Sequence, residues 1–308
     1  MRRLSSRQAV LIITLIFVVF AAVRLVFPGL DHGDEYTDAS TVTAGSNFAR
    51  NGFMKSLFLP VFDIGTNPTC GAYTHFPPLP SVLNGMWRTL FHADSLILFR
   101  FIALLFSYID VLCWYFFIAV LTSSPVFGFF AALFYVTNTM FLFLMDSFNP
   151  HIFLSAFLCA AAFLAKPVRY KPVIMTLLWI FYFFQSWVTY EYFIFMAVFL
   201  ILFKCFLVDE RAALRKRDVL LLMSAPAAAF FLHLLQNTWY FGSITAAIND
   251  ISRAGIQRVL NSQDSAMPLS FFNWFNLVIL KNISEVFLFD YMSLFLMVFV
   301  AAAGYHFT

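Results

Sequence analysis

Apolar runs of about 20 residues, the length that crosses roughly 30 Å of hydrocarbon at 1.5 Å per residue, recur along the chain between polar breaks. They lie at Ala9 to Phe27, Leu96 to Leu121, Val126 to Met145, His151 to Ala165, Pro172 to Tyr190, Tyr192 to Leu207, Leu220 to Phe241 and Val286 to Phe307. The pattern predicts about eight transmembrane helices, give or take one. The first run follows a basic start, Arg2, Arg3 and Arg7, and has no small-residue cleavage site, so it reads as an anchor rather than a removed signal peptide.

Two longer intervals interrupt this pattern. The first, residues 28–94, holds two apolar stretches too short to span, Phe53 to Phe62 and Leu79 to Phe91, which read as helices lying along the membrane. The second, residues 242–285, repeats Ile244, Ile248, Ile251 and Val259 at helical spacing against Asn249, Asp250, Arg253 and Arg258. Its later part, Leu269 to Leu280, reads either as another interfacial helix or as an extra half-span.

Composition agrees with the spans. Of 308 residues, 62% are hydrophobic and 11% charged, and the mean hydropathy is +0.83, which excludes an ordinary soluble domain. The fold class expected is an all-α integral membrane protein in one domain, residues 1–308, with two external loops. Lysine and arginine gather on one side: Arg2, Arg3 and Arg7, then Lys166, Arg169 and Lys171, then Lys204, Arg211, Arg215, Lys216 and Arg217. The positive-inside rule makes that side cytoplasmic. The net charge of +3 is then a matter of topology and gives no argument for a nucleic-acid partner. The four cysteines, Cys70, Cys113, Cys159 and Cys205, have neither a disulfide framework nor metal-ligand spacing.

The opposite, external side receives the acids. Among them, Asp31, Asp34, Glu35 and Asp38 put four carboxylates within eight residues just beyond the first span. Charge at a membrane boundary is costly unless it binds something or does chemistry. On a helix, Asp31 and Glu35 share a face, as do Asp34 and Asp38. His75 and His32 among these acids raise the option of a divalent cation held by Asp34, Glu35 and His75. Asp110 and His233 lie within spans, where ionisable side chains face the bundle interior or a cavity.

An ordered set of motifs follows the first span: Gly33-Asp34-Glu35-Tyr36, Tyr73-Thr74-His75-Phe76-Pro77-Pro78-Leu79-Pro80, Leu90-Phe91-His92-Ala93-Asp94-Ser95, and Phe99-Arg100-Phe101-Ile102-Ala103-Leu104. Together they resemble the N-terminal half of the GT-C glycosyltransferases, in the protein O-mannosyltransferase and aminoarabinose transferase branch, glycosyltransferase family 39. The resemblance covers about Ala9 to Leu121, and the rest by topology. It implies a transferase that takes a sugar from a polyprenyl-phosphate carrier on the outer face and passes it to a lipid, protein or polysaccharide acceptor. It further implies Asp34 as the base with Glu35 as its acidic neighbour, Asp146 as a second acidic position, and Arg100 as the arginine at the outer start of the second span. A bacterial plasma membrane with a periplasmic or extracellular site is the expected location, with the endoplasmic reticulum as the alternative. The family has further helices and a further domain, so the end at Gly304 to Thr308 reads as a short form or an incomplete chain.

The chemistry leads the same way. Attack on an anomeric carbon needs an acceptor hydroxyl activated by a carboxylate, for which Asp34 is chosen. The departing polyprenyl phosphate needs no general acid, only cations that stabilise its charge, and Arg88, Arg100, Arg253, Arg258 and Lys281 are candidates. A single displacement inverts the anomeric configuration. His75 and Glu191, at the outer turn after Tyr190, are candidates for lining the pocket. Blander roles stand beside these: Asp34 and Glu35 as solvated helix-cap carboxylates, Arg100 snorkelling to the interface, Asp146 capping a helix, and Asp31 and Asp38 as supporting or merely solvated neighbours. Two other classes of function remain: a transporter or flippase of a lipid-linked or polar substrate, and a non-catalytic assembly partner.

Overall fold

The computed structural model describes residues 4–26, 35–62, 71–75, 77–92, 94–147, 152–165, 169–189, 191–206 and 214–260; within these, the side chains of 35–36, 139–140, 191–194, 206 and 254–260 are not described. The fold among the described residues is helical, with a lone antiparallel bridge between Val61 and Ala72. Four helices are long and apolar enough to cross a membrane: α1 (Ser6–Val26), α4 (Leu96–Thr122), α8 (Lys171–Val188) and α10 (Lys216–Phe241). The protein is membrane-embedded. Shorter apolar helices are α5 (Pro125–Val136), α7 (Ile152–Ala162) and the Phe195–Cys205 part of α9 (Glu191–Phe206).

The expected span Val126 to Met145 is corrected by a break. After α5 the chain pauses at Thr137 and Asn138 and restarts as α6 (Thr139–Leu144). Side-chain chemistry explains the interruption: Asn138 Oδ1 accepts the amide of Phe141 at 3.3 Å, so a new helix is capped where the old one ends. The expected span His151 to Ala165 shortens to the 11 residues of α7, about 16 Å of helix. The expected helix Val286 to Phe307 lies outside the described residues, as does Leu269 to Leu280.

Between α1 and α4 run two polar-faced helices, α2 (Glu35–Asn51) and α3 (Leu79–Phe91). In α2 the buried positions Asp38, Thr41, Ala44, Gly45 and Phe48 recur at three- and four-residue steps, which makes one inward stripe. Gly52, at φ +83°, ends it in the left-handed conformation that glycine adopts without strain. α3 is the expected amphipathic helix. Its Pro80 sits in the first turn, Leu79, Val82 and Gly85 pack inward, and Met86, Leu90 and Phe91 stay exposed. A Cβ on Gly85 would lie 2.7 Å from Phe48 Cβ, so glycine sets how closely α2 and α3 approach.

The other expected interfacial helix, Phe53 to Phe62, is not one. The chain makes a single 3-10 turn at Met54–Ser56, reverses through Leu57 and Phe58 in left-handed backbone, and extends to the bridge at Val61. Pro60 has no amide hydrogen and pushes Leu59 to extended backbone, which forbids a continuing helix. The apolar side chains are used internally instead: Leu59 is buried, and Phe53 stacks on Phe48 with centroids 5.1 Å apart.

Helix directions define two ends. α1 runs against α4, with Thr14 Oγ1 and Tyr108 Oη 2.8 Å apart across them. α8 and α10 run together: Lys171 Nζ donates to Asp218 Oδ2 at 2.5 Å, and Trp179 Nε1 to Ser224 Oγ at 3.0 Å. One apolar core lies among α4, α7, α8, α9 and α10, and a second among α1, α4 and α5. Gly128 brings α5 onto α4, since a Cβ there would stand 2.7 Å from the Tyr115 carbonyl oxygen. Lys171, Arg215 and Arg217 share one end of the bundle. The starts of α2 and α4 and the last turns of α10 lie at the other, bound by the contacts described next.

Candidate functional site

At the acid-rich end a charged cluster joins residues far apart in sequence. Arg100, in the second turn of α4, donates from Nη1 to Asp38 Oδ2 at 2.5 Å and to the Asp146 carbonyl at 2.7 Å, and its Nε lies 3.6 Å from Asp146 Oδ2. Asp38 comes from the first turn of α2, and its other oxygen accepts Ser147 Oγ at 2.8 Å. All three ionic side chains are 0% exposed. Ser107, one helical face below Arg100, donates to the Met145 carbonyl at 2.6 Å and holds the segment that carries Asp146.

A second arginine completes the charge. Arg24, in the last turn of α1, has its Nε 3.9 Å from Asp146 Oδ1, and its guanidinium donates to the carbonyls of Leu142 and Phe143. Two cations thus face two carboxylates. Such a set is costly to bury but far costlier to break, because removing one member strands its partner without water. Arg24 alone keeps partial exposure, 22% of its side chain.

Of the two roles expected of Asp38, a supporting or a merely solvated neighbour, the second is corrected. Asp38 is a fully enclosed ion-pair partner, because α2 turns positions 38, 41, 44 and 48 inward together. Arg100 likewise does not snorkel to the interface. Arg100 and Asp146, singled out separately from the sequence, do come together. Asp34 lies outside the described residues; Glu35 opens α2, and its side chain is not described.

His75 meets different partners. Its Nε2 donates to Asp250 Oδ1 at 3.1 Å, while Thr74 Oγ1 donates to Asp250 Oδ2 at 2.5 Å. The carbonyl of Thr74 accepts from His233 Nε2 at 2.8 Å and from Asn237 Nδ2 at 2.9 Å, both in the last turns of α10. Because a carbonyl offers no hydrogen, His233 carries its proton on Nε2. Gln236, on the same helix face, donates to the Leu57 carbonyl at 3.1 Å. Asp250 belongs to α11 (Ile244–Leu260), which follows α10 through Gly242 at φ +67°. Leu57, Thr74 and His75 are thus fastened to the α10–α11 corner.

Arg88 forms a third group. Its Nε donates to Asn84 Oδ1 at 2.8 Å and its Nη1 pairs with Asp94, which Arg50 also meets at 3.3 Å. Burial, and next the neighbouring Arg50, hold the Arg88 guanidinium below its ordinary pKa. Arg253 is exposed on α11; Arg258 and Glu191 sit on helices, but their side chains are not described. Among the described residues no group of three or more His, Cys, Asp or Glu side chains is placed to hold a metal. Within the spans, Asp110 accepts Tyr135 Oη at 2.5 Å.

Sequence reasoning passed over Arg24, Ser147, Asn237 and the role of Asp250. The inward stripe of α2 is mostly polar or small in sequence and gave no signal for Asp38, and nothing local in the sequence points from Thr74 to Asn237. No family model, curated protein or solved structure matches the chain.

Proposed function

We propose that the chain is a membrane glycosyltransferase that moves a sugar from a polyprenyl-phosphate donor to an acceptor hydroxyl, with inversion, at the acid-rich end. The observation that carries this reading is the enclosed Asp38–Arg100–Asp146 set at the entry to α2, directly after the carboxylates Asp31 and Asp34 in the chain. A bundle of this size does not bury so much charge for packing alone. The set fastens together the elements that carry the acidic turn, which is what a positioned general base needs.

In this reading Asp34 takes the acceptor proton and Glu35 supports it. The leaving phosphate already carries its charge and requires neighbouring cations; Arg253, exposed on α11, and Arg24, with 22% of its side chain exposed, are at this end, whereas Arg88 is buried. The two long intervals are external loops. In this reading α5 and α6, interrupted at Thr137 and Asn138, make one crossing, and α7, α9 and the run 286–307 bring the total to about eight. The membrane is a bacterial plasma membrane, with the basic end cytoplasmic and the site periplasmic. The transporter reading asks for ionisable groups and broken helices near the midplane, often in two repeated halves, whereas here the acids gather on one face and the sequence has no internal repeat.

The test is turnover of polyprenyl-phosphate mannose and related donors by the full chain in nanodiscs. Removing a general base costs about 100- to 10,000-fold in rate, so Asp34→Asn is expected to fall by that order. Equal transfer by Asp34→Asn would sink the base assignment, and no transfer with any carrier lipid would sink the transferase. A tag after Arg215 reachable only from outside the cell would reverse the orientation.

A further inference from the structure

We infer that Asp38 is a positioning residue: through Arg100 and Ser147 it locks the acidic first turn of α2 onto the outer end of the bundle. For its catalytic consequence the inference rests on the transferase reading; the mechanical part does not.

The geometry is specific. α2 is largely polar and lies outside the spans, so membrane insertion alone does not orient its start. Asp38 does, with each carboxylate oxygen committed to a different element. Oδ2 takes the Arg100 guanidinium of α4, and Oδ1 takes the Ser147 hydroxyl beyond α6. Two bonds to two elements remove rotation as well as translation, where one bond would leave a hinge. Arg100 is itself held from the far side by the Asp146 carbonyl and carboxylate. Its charge is thereby consumed inside the cluster, and with no solvent exposure it is not available to a donor phosphate. The arginine at the start of α4 therefore serves the helix that carries the acids and not the substrate.

A mispositioned base loses rate before it loses affinity. A displacement of about 1 Å at a reacting group costs on the order of 100-fold. The substitution Asp38→Asn keeps the shape and an oxygen for Ser147 but removes the charge that meets Arg100. In the full chain in nanodiscs, amide hydrogen exchange of residues 35–41 is expected to accelerate roughly tenfold or more, with α10 unchanged. With polyprenyl-phosphate mannose, kcat is expected to fall about 100-fold while the donor KM stays within about threefold. Asp38→Glu restores part of both.

Unchanged exchange at residues 35–41 overturns the inference, as does an unchanged kcat beside a loosened turn. A loss carried by KM overturns it too, because Asp38 would then touch substrate. If Asp38→Asn does not fold, Asp38→Asn combined with Arg100→Gln removes the stranded cation; wild-type turnover by that double variant overturns the inference. If the wild type itself transfers no sugar, the transferase reading fails, and the exchange experiment alone decides whether Asp38 holds α2.

Discussion

Two segments at the same end of this protein are fastened to the bundle by opposite kinds of chemistry. The start of α2 is held by charge, Asp38 on Arg100 on Asp146, with every ionic side chain enclosed. The stretch 71–75 is held mainly by neutral donors, with His233 and Asn237 converging on the Thr74 carbonyl, and by one part-exposed contact, His75 with Asp250. The first fastening is brittle: it works only with all its charges present. The second is graded, because each bond is modest and water can replace the outermost. A residue that must stay fixed suits the first kind, and a loop that only needs to remain docked suits the second.

The largest expected effect breaks the charged fastening. Arg100→Met leaves Asp38 and Asp146 enclosed with only Arg24 nearby, and stranding buried charge costs about 3–5 kcal/mol. Thermal unfolding in detergent should drop sharply, or the chain should fail to elute as a single species. An unaltered melting curve would show that the cluster is not under the strain its burial implies. Next comes Gly128→Leu at the α4–α5 contact, where an overpacked core costs about 1–3 kcal/mol and the same melting measurement applies.

His233→Leu should cost about 1–3 kcal/mol, since it removes a buried donor from a carbonyl that Asn237 still serves. Its signature is local: faster proteolysis or exchange within residues 71–75, with α2 unaffected. Equal loosening of α2 would mean that the two fastenings are one cooperative unit. The smallest effect belongs to Asp250→Asn. Its side chain is 23% exposed, its hydrogen bond with His75 is open to water, and an amide oxygen can still accept from Thr74, so the change should stay within about 1 kcal/mol. A larger loss would place the weight of the loop on the Asp250 carboxylate and not on the buried amide and imidazole.

Much of this fold is readable in the chain. The apolar runs at Ser6–Val26, Leu96–Thr122, Lys171–Val188 and Lys216–Phe241 carry their own membrane signal. The short apolar stretch Leu79 to Phe91 marked α3 with the bounds it has. Where local reading failed, a short polar device had outweighed a long apolar trend. Asn138 capped a new helix inside a hydrophobic run, and Pro60 turned Phe53 to Phe62 into a folded-back segment.

The site divides in the same way. Its residue types, acids after the first span and an arginine opening α4, were visible as a list. Periodicity within α2 did not mark Asp38 as inward, because Ala39, Val42 and Ala49 form a more apolar row than the buried Asp38, Thr41 and Ala44. What the sequence by itself determined is therefore the membrane setting, most helices and the gathering of acid at one end, because these depend on neighbours a few residues apart. Only the tertiary structure decided that Asp38 meets Arg100, that Arg100 meets Asp146, and that Thr74 meets His233 and Asn237. Those pairings span dozens of residues or more, and a charge is enclosed or solvated according to what distant helices bring against it.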